Sequence, residues 1–184
     1  MNKILILAIS GSLRSNSANT NILKALGEMT EKSVDFQIFE GLNTFPYFNP
    51  GIDEDNEKVA IFRQKVKDAD GVIFCTPEYA FGIPGVLKNA LDWTVSTGEF
   101  NEKPVAAISA SPLNSGGDKA LASLILTLTA LGTRKNENSH LAIPNVKIKI
   151  NGDGEVSDSL LKNNLELLLN NLLGQIYEQR SGIF

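Results

Sequence analysis

The 184-residue chain carries 17 Lys and Arg against 21 Asp and Glu, a formal net charge of −4, and 42% of it is hydrophobic. These proportions fit one folded soluble domain over 1–184 and exclude a disordered chain, which needs fewer apolar residues and more net charge. The acidic balance argues against a general nucleic-acid or anionic-membrane binder, no apolar run has the length of a bilayer span, and the single cysteine, Cys75, excludes an internal disulfide or a multi-cysteine metal site.

Met1-Asn2-Lys3 leads into Lys3 to Ile9, a nearly continuous apolar run without a small-residue cleavage site. It predicts a first strand covered on both faces rather than a signal peptide, and hence a cytoplasmic protein. After Ser10 to Thr20, a helical pattern runs from about Asn19 to Thr30, and a second strand is predicted over Val34 to Phe39. The acidic run Asp53 to Glu57 reads as the solvated start of a helix extending to Asp68. A third strand follows over Gly71 to Cys75, then a helix over Gly85 to Val95 and a fourth strand over Pro104 to Ser109. The next helix, Gly117 to Leu131, precedes a weaker fifth strand, Ser139 to Ile143, stopped by Pro144. Segment 145–156 reads as a short irregular strand and turn. The final helix, Asp158 to Glu178, spaces Leu161, Leu165, Leu168, Leu172 and Ile176 for one buried face, with Ser157 as its expected cap. This alternation predicts a doubly wound three-layer α/β/α sandwich of the flavodoxin-like class, with a five-stranded parallel sheet in order 2-1-3-4-5.

In such a sheet ligands bind beyond the carboxyl ends of the strands, near the reversal of strand order, and three segments of unusual composition occupy that edge. Ser10-Gly11-Ser12-Leu13-Arg14-Ser15-Asn16-Ser17-Ala18-Asn19-Thr20 gathers hydroxyls, amides and one arginine in a strand-to-helix turn. A phosphate needs that set: backbone N–H groups at a helix start, short donors and a fixed cation. It is neither a Walker loop nor a dinucleotide fingerprint, because the required glycines and lysine are missing. Thr76 to Trp93 is stiffened by Pro77, Gly82, Pro84 and Gly85 and presents Tyr79 and Phe81, a rim suited to a flat heterocycle. Ser109 to Gly117, rich in small residues, allows close approach of a ligand or a second subunit. The helix after it is apolar on most sides, which predicts a homodimer, with a tetramer left open. Lys88 and Asp92 read as a surface pair, Glu40 as a solvated end-of-strand charge, Cys75 as inert and His140, the only histidine, as structural.

Gly11-Ser12-Leu13-Arg14 with Ser17 and Asn19, followed by Pro77-Glu78-Tyr79 and Pro84-Gly85-Val86-Leu87-Lys88-Asn89-Ala90-Leu91-Asp92-Trp93, resembles the NAD(P)H-dependent FMN reductase family, which includes quinone, azo-dye and chromate reductases. The resemblance implies FMN as cofactor, NADPH or NADH as hydride donor, and a small-molecule electron acceptor. It places Ser10, Ser12, Arg14, Ser17, Asn19 and Thr20 around the FMN phosphate. Pro77, Glu78, Tyr79 and the backbone of Ala80 and Phe81 would border the isoalloxazine, and Ser111, Gly116 and Gly117 match a third flavin-side loop. Ala80 stands where that family commonly has asparagine, and Gly82 where it commonly has serine. The chemistry would be the cofactor's, with the protein positioning and tuning it, so no side chain is assigned as acid or base and no metal is expected. A flavodoxin-type electron carrier and a flavin-free relative are the alternatives.

Overall fold

The structure is a computed structural model that describes residues 3–51, 56–151 and 153–182. Its elements follow in the order β1 (Ile4–Ser10), α1 (Ala18–Met29), β2 (Val34–Phe39), α2 (Glu57–Asp68), β3 (Gly71–Thr76), α3 (Gly85–Asp92), β4 (Val105–Ala110), α4 (Asp118–Ala130), β5 (His140–Ile143) and α5 (Ser159–Ser181). The strands form one parallel sheet in order β2-β1-β3-β4-β5, the expected one. β1 pairs Ile4 with Val34 on one side and Ile6 with Gly71 on the other, so the chain reverses its direction of growth between β1 and β3.

Strand side chains alternate between two cores. Ile4, Ile6 and Ala8 of β1 pack with Ile22, Leu23 and Leu26 of α1 and Leu165, Leu169 and Leu172 of α5. Leu7 and Ile9 pack with Phe62 and Val66 of α2, Leu87 and Leu91 of α3, and Leu121, Leu124 and Leu128 of α4. Both faces of the sheet are therefore covered, which is why β1, β3 and β4 read as continuous apolar runs rather than alternating ones. The predicted stripe on α5 is buried at all five positions.

Several boundaries differ from the sequence reading. Asp158, not Ser157, caps α5: its carboxylate accepts the Leu161 N–H at 2.7 Å, while the Ser157 hydroxyl donates to the Lys149 carbonyl. α3 stops at Asp92, with the following residues in turns. Segment 145–156 holds a 3₁₀ turn over Val146–Ile148 and an isolated antiparallel bridge between Ile150 and Val156, and Gly152 lies outside the described residues. His140 is exposed at the start of edge strand β5, away from the cavity lining. Of the acidic run 53–57, only Asn56 and Glu57 fall among the described residues, and the Asn56 side chain caps α2 by accepting from Lys58 and Val59. α4 is buried along the sheet at Ala120, Leu121, Leu124 and Leu128, but Leu126 is 72% exposed on its outer side.

Candidate functional site

The loops at the carboxyl ends of β1, β3 and β4 enclose a cavity of about 700 Å³. Its position follows from topology: the crossover from β1 to α1 and that from β3 to α3 leave the sheet on opposite faces, opening a crevice between them. The loop after β1 is stitched to β3 at that point. Gly11 donates its N–H to the Cys75 carbonyl at 2.8 Å. A Cβ at position 11 would come within 2.7 Å of the Thr76 hydroxyl and 3.1 Å of Leu87, so glycine is what lets the loop lie so close to β3.

Ser12, Arg14, Asn16, Ser17, Ala18, Asn19 and Asn21 form one wall. The Ser10 and Thr20 hydroxyls do not line the cavity; they bond each other at 2.9 Å behind it, and Ser10 also accepts the Ser12 N–H. Their function is to hold the loop's shape. Ser17 occupies the cap position of α1 without making a side-chain cap bond, and no acidic residue lies in the first turn. The N–H groups of Ala18, Asn19 and Thr20 consequently have no side-chain acceptor among the described residues, in a helix whose aligned peptide dipoles make that end electropositive. Arg14 sharpens this electrostatic character. Of the chain's four arginines, Arg63 is bonded to the Trp93 carbonyl, Arg134 to Glu178 and Arg180 to Asp70, whereas Arg14 has no carboxylate or carbonyl partner among the described residues. Asn19 is fixed by accepting from the Cys75 thiol at 3.4 Å. Full burial of Cys75 pushes that thiol far up from its ordinary value, keeping it protonated and unreactive.

Pro77, Glu78 and Tyr79 form the second wall. The Glu78 carboxylate is engaged by α4: one oxygen accepts the Lys119 N–H at 3.0 Å and the Ala120 N–H at 3.1 Å, capping α4 from 41 residues upstream in sequence. Tyr79 and Gly82 exchange both backbone hydrogen bonds at 3.0 Å, closing a two-residue hairpin whose central residues, Ala80 and Phe81, have φ of +49° and +61°. That is the left-handed pair demanded by a type I′ turn, normally given to Asn-Gly. The hairpin tip stands clear of the cavity, with Phe81 78% exposed.

Ala110, Ser111, Pro112 and Leu113 supply the third wall. Gly116 and Gly117 do not line the cavity; both have positive φ, and a Cβ on Gly116 would meet the Pro144 nitrogen at 2.9 Å. Gly116 seats the loop against the end of β5 and Gly117 against Ser109 and Glu78, while the Ser109 hydroxyl donates to the Gly116 carbonyl at 2.8 Å. A fourth wall, Val146, Lys147, Ile150 and Asn151, was not expected. Its residues belong to no motif and reach the site because the chain after β5 folds back over the sheet edge toward α1. Asn16 and Asn21, within or beside the β1 loop, could have been found from their place in the helix start. Outside the cavity, Asn89 of α3 clamps the segment after β2, accepting the Phe48 N–H at 2.7 Å and donating to the Pro46 carbonyl at 2.9 Å. The Trp93 indole donates to the same carbonyl.

An electropositive helix start, short hydroxyl and amide donors, a guanidinium without a carboxylate or carbonyl partner among the described residues, and a partly apolar wall fit a phosphorylated heterocycle. The chain's likenesses agree with this donor set. The model of the family described as NADPH-dependent FMN reductase matches residues 4–147. An NAD(P)H-dependent FMN reductase of Pseudomonas aeruginosa is 30% identical over 159 residues, covering 84% of this chain and 85% of that protein. A probable NADPH:quinone oxidoreductase of rice is 36% identical over 63% of this chain, and the matched part spans only 60% of the rice protein. Among solved structures, the flavoenzyme NAD(P)H:(acceptor) oxidoreductase FerB of Paracoccus denitrificans superposes with a TM-score of 0.85 at 26% identity, covering 95% of this chain and 98% of that one. With a family match that runs from β1 into the turn after β5, across three of the cavity's walls and into the fourth, the chain belongs to the NADPH-dependent FMN reductase family.

Proposed function

We propose that this protein is an FMN-dependent oxidoreductase that takes electrons from NADPH or NADH and passes them to a small acceptor such as a quinone, free flavin, azo compound or chromate. The observation that carries the proposal is the α1 start: helix N–H groups without a side-chain acceptor among the described residues, on a cavity shared with Arg14, which no carboxylate or carbonyl of those residues holds. Ser12, Arg14, Ser17 and Asn19 would hold the FMN phosphate, with Ser10 and Thr20 fixing their loop. Pro77, Tyr79 and the backbone after them would border the ring, with Ser111 on the other side. When bound, FMN supplies the capacity to accept a hydride from a nicotinamide and to pass electrons onward.

The chain's own residues bind, orient and exclude water. Arg14 neutralises phosphate charge through charge-assisted hydrogen bonds, each worth about 1.5–3 kcal/mol. Glu78 takes no part in proton transfer in this reading, since its carboxylate is spent on α4; it keeps the 77–82 loop in register with that helix. Pro77, Pro112 and Leu113 present low-dielectric surface. A second copy of the chain would cover the outer face of α4, where Leu126, Ala122 and Ala130 are exposed, giving a homodimer. A cytoplasmic site of action fits the need for a nicotinamide supply.

The test is an anaerobic stopped-flow experiment on protein titrated with FMN. Rapid bleaching of the flavin absorbance on mixing with NADPH or NADH, and its return on adding a quinone, is the expected outcome. Tight FMN binding without bleaching by either nicotinamide would point to an electron carrier instead. A protein that fails to quench FMN fluorescence would refute the assignment outright. Light scattering at micromolar concentration should give twice the chain mass.

A further inference from the structure

The fourth wall of the cavity carries a second cation. Lys147 lies in the 3₁₀ turn after β5, and its position is fixed by the loop after β4. The Asn145 N–H donates to the Leu113 carbonyl at 3.2 Å, and the Val146 N–H donates to the Ser111 carbonyl at 3.0 Å. Val146 itself is buried, and Asn145 turns the chain with a left-handed φ of +54°. The lysine is therefore rooted on a rigid frame shared with the third wall, not on a drifting surface loop.

Its ammonium has no carboxylate or carbonyl acceptor among the described residues. Some lysines are held by such acceptors, as Lys88 is by Asp92 at 2.6 Å, Lys119 by Asp118 at 3.2 Å and Lys103 by the carbonyls of Lys67 and Ala69; others, such as Lys24 and Lys58, stand exposed on outer surfaces, and what sets Lys147 apart from these is its place on the cavity. The polar side chains that line the cavity with it, Asn16, Asn21 and Asn151 among them, are neutral, and the cavity's one carboxylate among the described residues, Glu78, caps α4. In a chain of net charge −4, this cavity gathers two cations, Arg14 and Lys147, that no carboxylate or carbonyl among the described residues holds. A phosphomonoester carries about −1.5 to −2 charges near neutral pH, which one guanidinium cannot balance.

We propose that Lys147 is a specificity-determining residue, the second cation, with Arg14, for a phosphomonoester bound in this cavity. The inference rests on the functional reading above. Two ligands of that reading carry the group: FMN in its 5′-phosphate and NADPH in its 2′-phosphate.

The experiment uses the full chain with Lys147→Gln, Lys147→Arg and Arg14→Ala. FMN and riboflavin are titrated by fluorescence quenching, and KM is measured for NADPH and NADH. Lys147→Gln is expected to weaken FMN by about 5- to 20-fold, to leave riboflavin unchanged and to be rescued by Lys147→Arg. If FMN affinity holds and the KM for NADPH alone rises by a similar factor, the proposal stands with the nicotinamide as the source of the phosphate. Equal weakening of FMN and riboflavin would reduce Lys147 to wall packing and overturn it. The proposal also falls, with the functional reading intact, if Lys147→Gln changes neither ligand while Arg14→Ala weakens FMN. Should Arg14→Ala leave FMN binding unchanged as well, both fall together.

Discussion

Two helices begin at the same edge of the sheet and treat their N-termini in opposite ways. At α4 the chain supplies its own anion: Glu78 accepts from Lys119 and Ala120, and Asp118 adds a second carboxylate in the first turn. At α1 no acidic residue lies in the first turn, Ser17 makes no cap bond, and Arg14 adds positive charge beside the free N–H groups. A buried helix end without acceptors costs stability, so a chain tolerates it only where something else satisfies it. The difference separates a helix start used to tie two loops together from one kept for an external anion. It also explains why Glu78, although it sits on the cavity wall, belongs to the scaffold.

The comparison can be broken at its strongest point first. Arg14→Ala should lower FMN affinity by about 10- to 100-fold while leaving riboflavin affinity and the circular dichroism spectrum unchanged. An unchanged FMN titration would remove the contrast between the two helix starts. At the other helix, Glu78→Ala strands two N–H donors and should cost about 1–2 kcal/mol in urea unfolding, with Glu78→Gln recovering part of it. If instead Glu78→Ala spares stability and abolishes flavin binding, the carboxylate serves the ligand and not α4.

Smaller effects test the frame around them. Ala80→Asn should raise stability by roughly 0.5–1 kcal/mol, because asparagine tolerates the left-handed conformation that alanine adopts here at a cost. Cys75, whose thiol anchors Asn19 of α1, ties that helix start to β3. Its native pKa is raised by burial, so below the ordinary cysteine value of about 8.5 the thiol is neutral in both states and has no pH effect. Above that value the unfolded chain ionises and the native one does not, so Cys75 should contribute a loss of about 1.4 kcal/mol of stability per pH unit. Denaturation midpoints from pH 8 to 10, compared with those of Cys75→Ala, would show it. Rapid modification of the native protein by a thiol reagent at pH 8 would contradict the buried placement.

Much of the architecture was legible because each element has a local physical cause. Continuous apolar runs at Lys3 to Ile9, Gly71 to Cys75 and Pro104 to Ser109 announce strands covered on both faces, and the leucine spacing of α5 announces its buried stripe. Strand-helix alternation then restricts the topology to parallel, right-handed crossovers. The phosphate-type composition of Ser10 to Thr20 could be read because a helix start and its donors are neighbours in sequence. Ser157 was the wrong cap because two adjacent residues could each serve, and only backbone geometry places Asp158 within reach of Leu161.

Residue types and spacing by themselves determined the doubly wound sheet, the three loops at its carboxyl edge and the arginine in the first of them. Tertiary structure alone decided what each loop does there. It turned Glu78 onto α4, set Ser10 and Thr20 behind the wall, lifted Ala80 and Phe81 clear of the cavity, and brought Lys147 round from beyond β5. The reason is range: propensity and periodicity act over a few neighbouring residues. The partners of Glu78 lie more than 40 positions away, and Lys147 comes to share a cavity with the β1 loop only after five strands have been laid side by side.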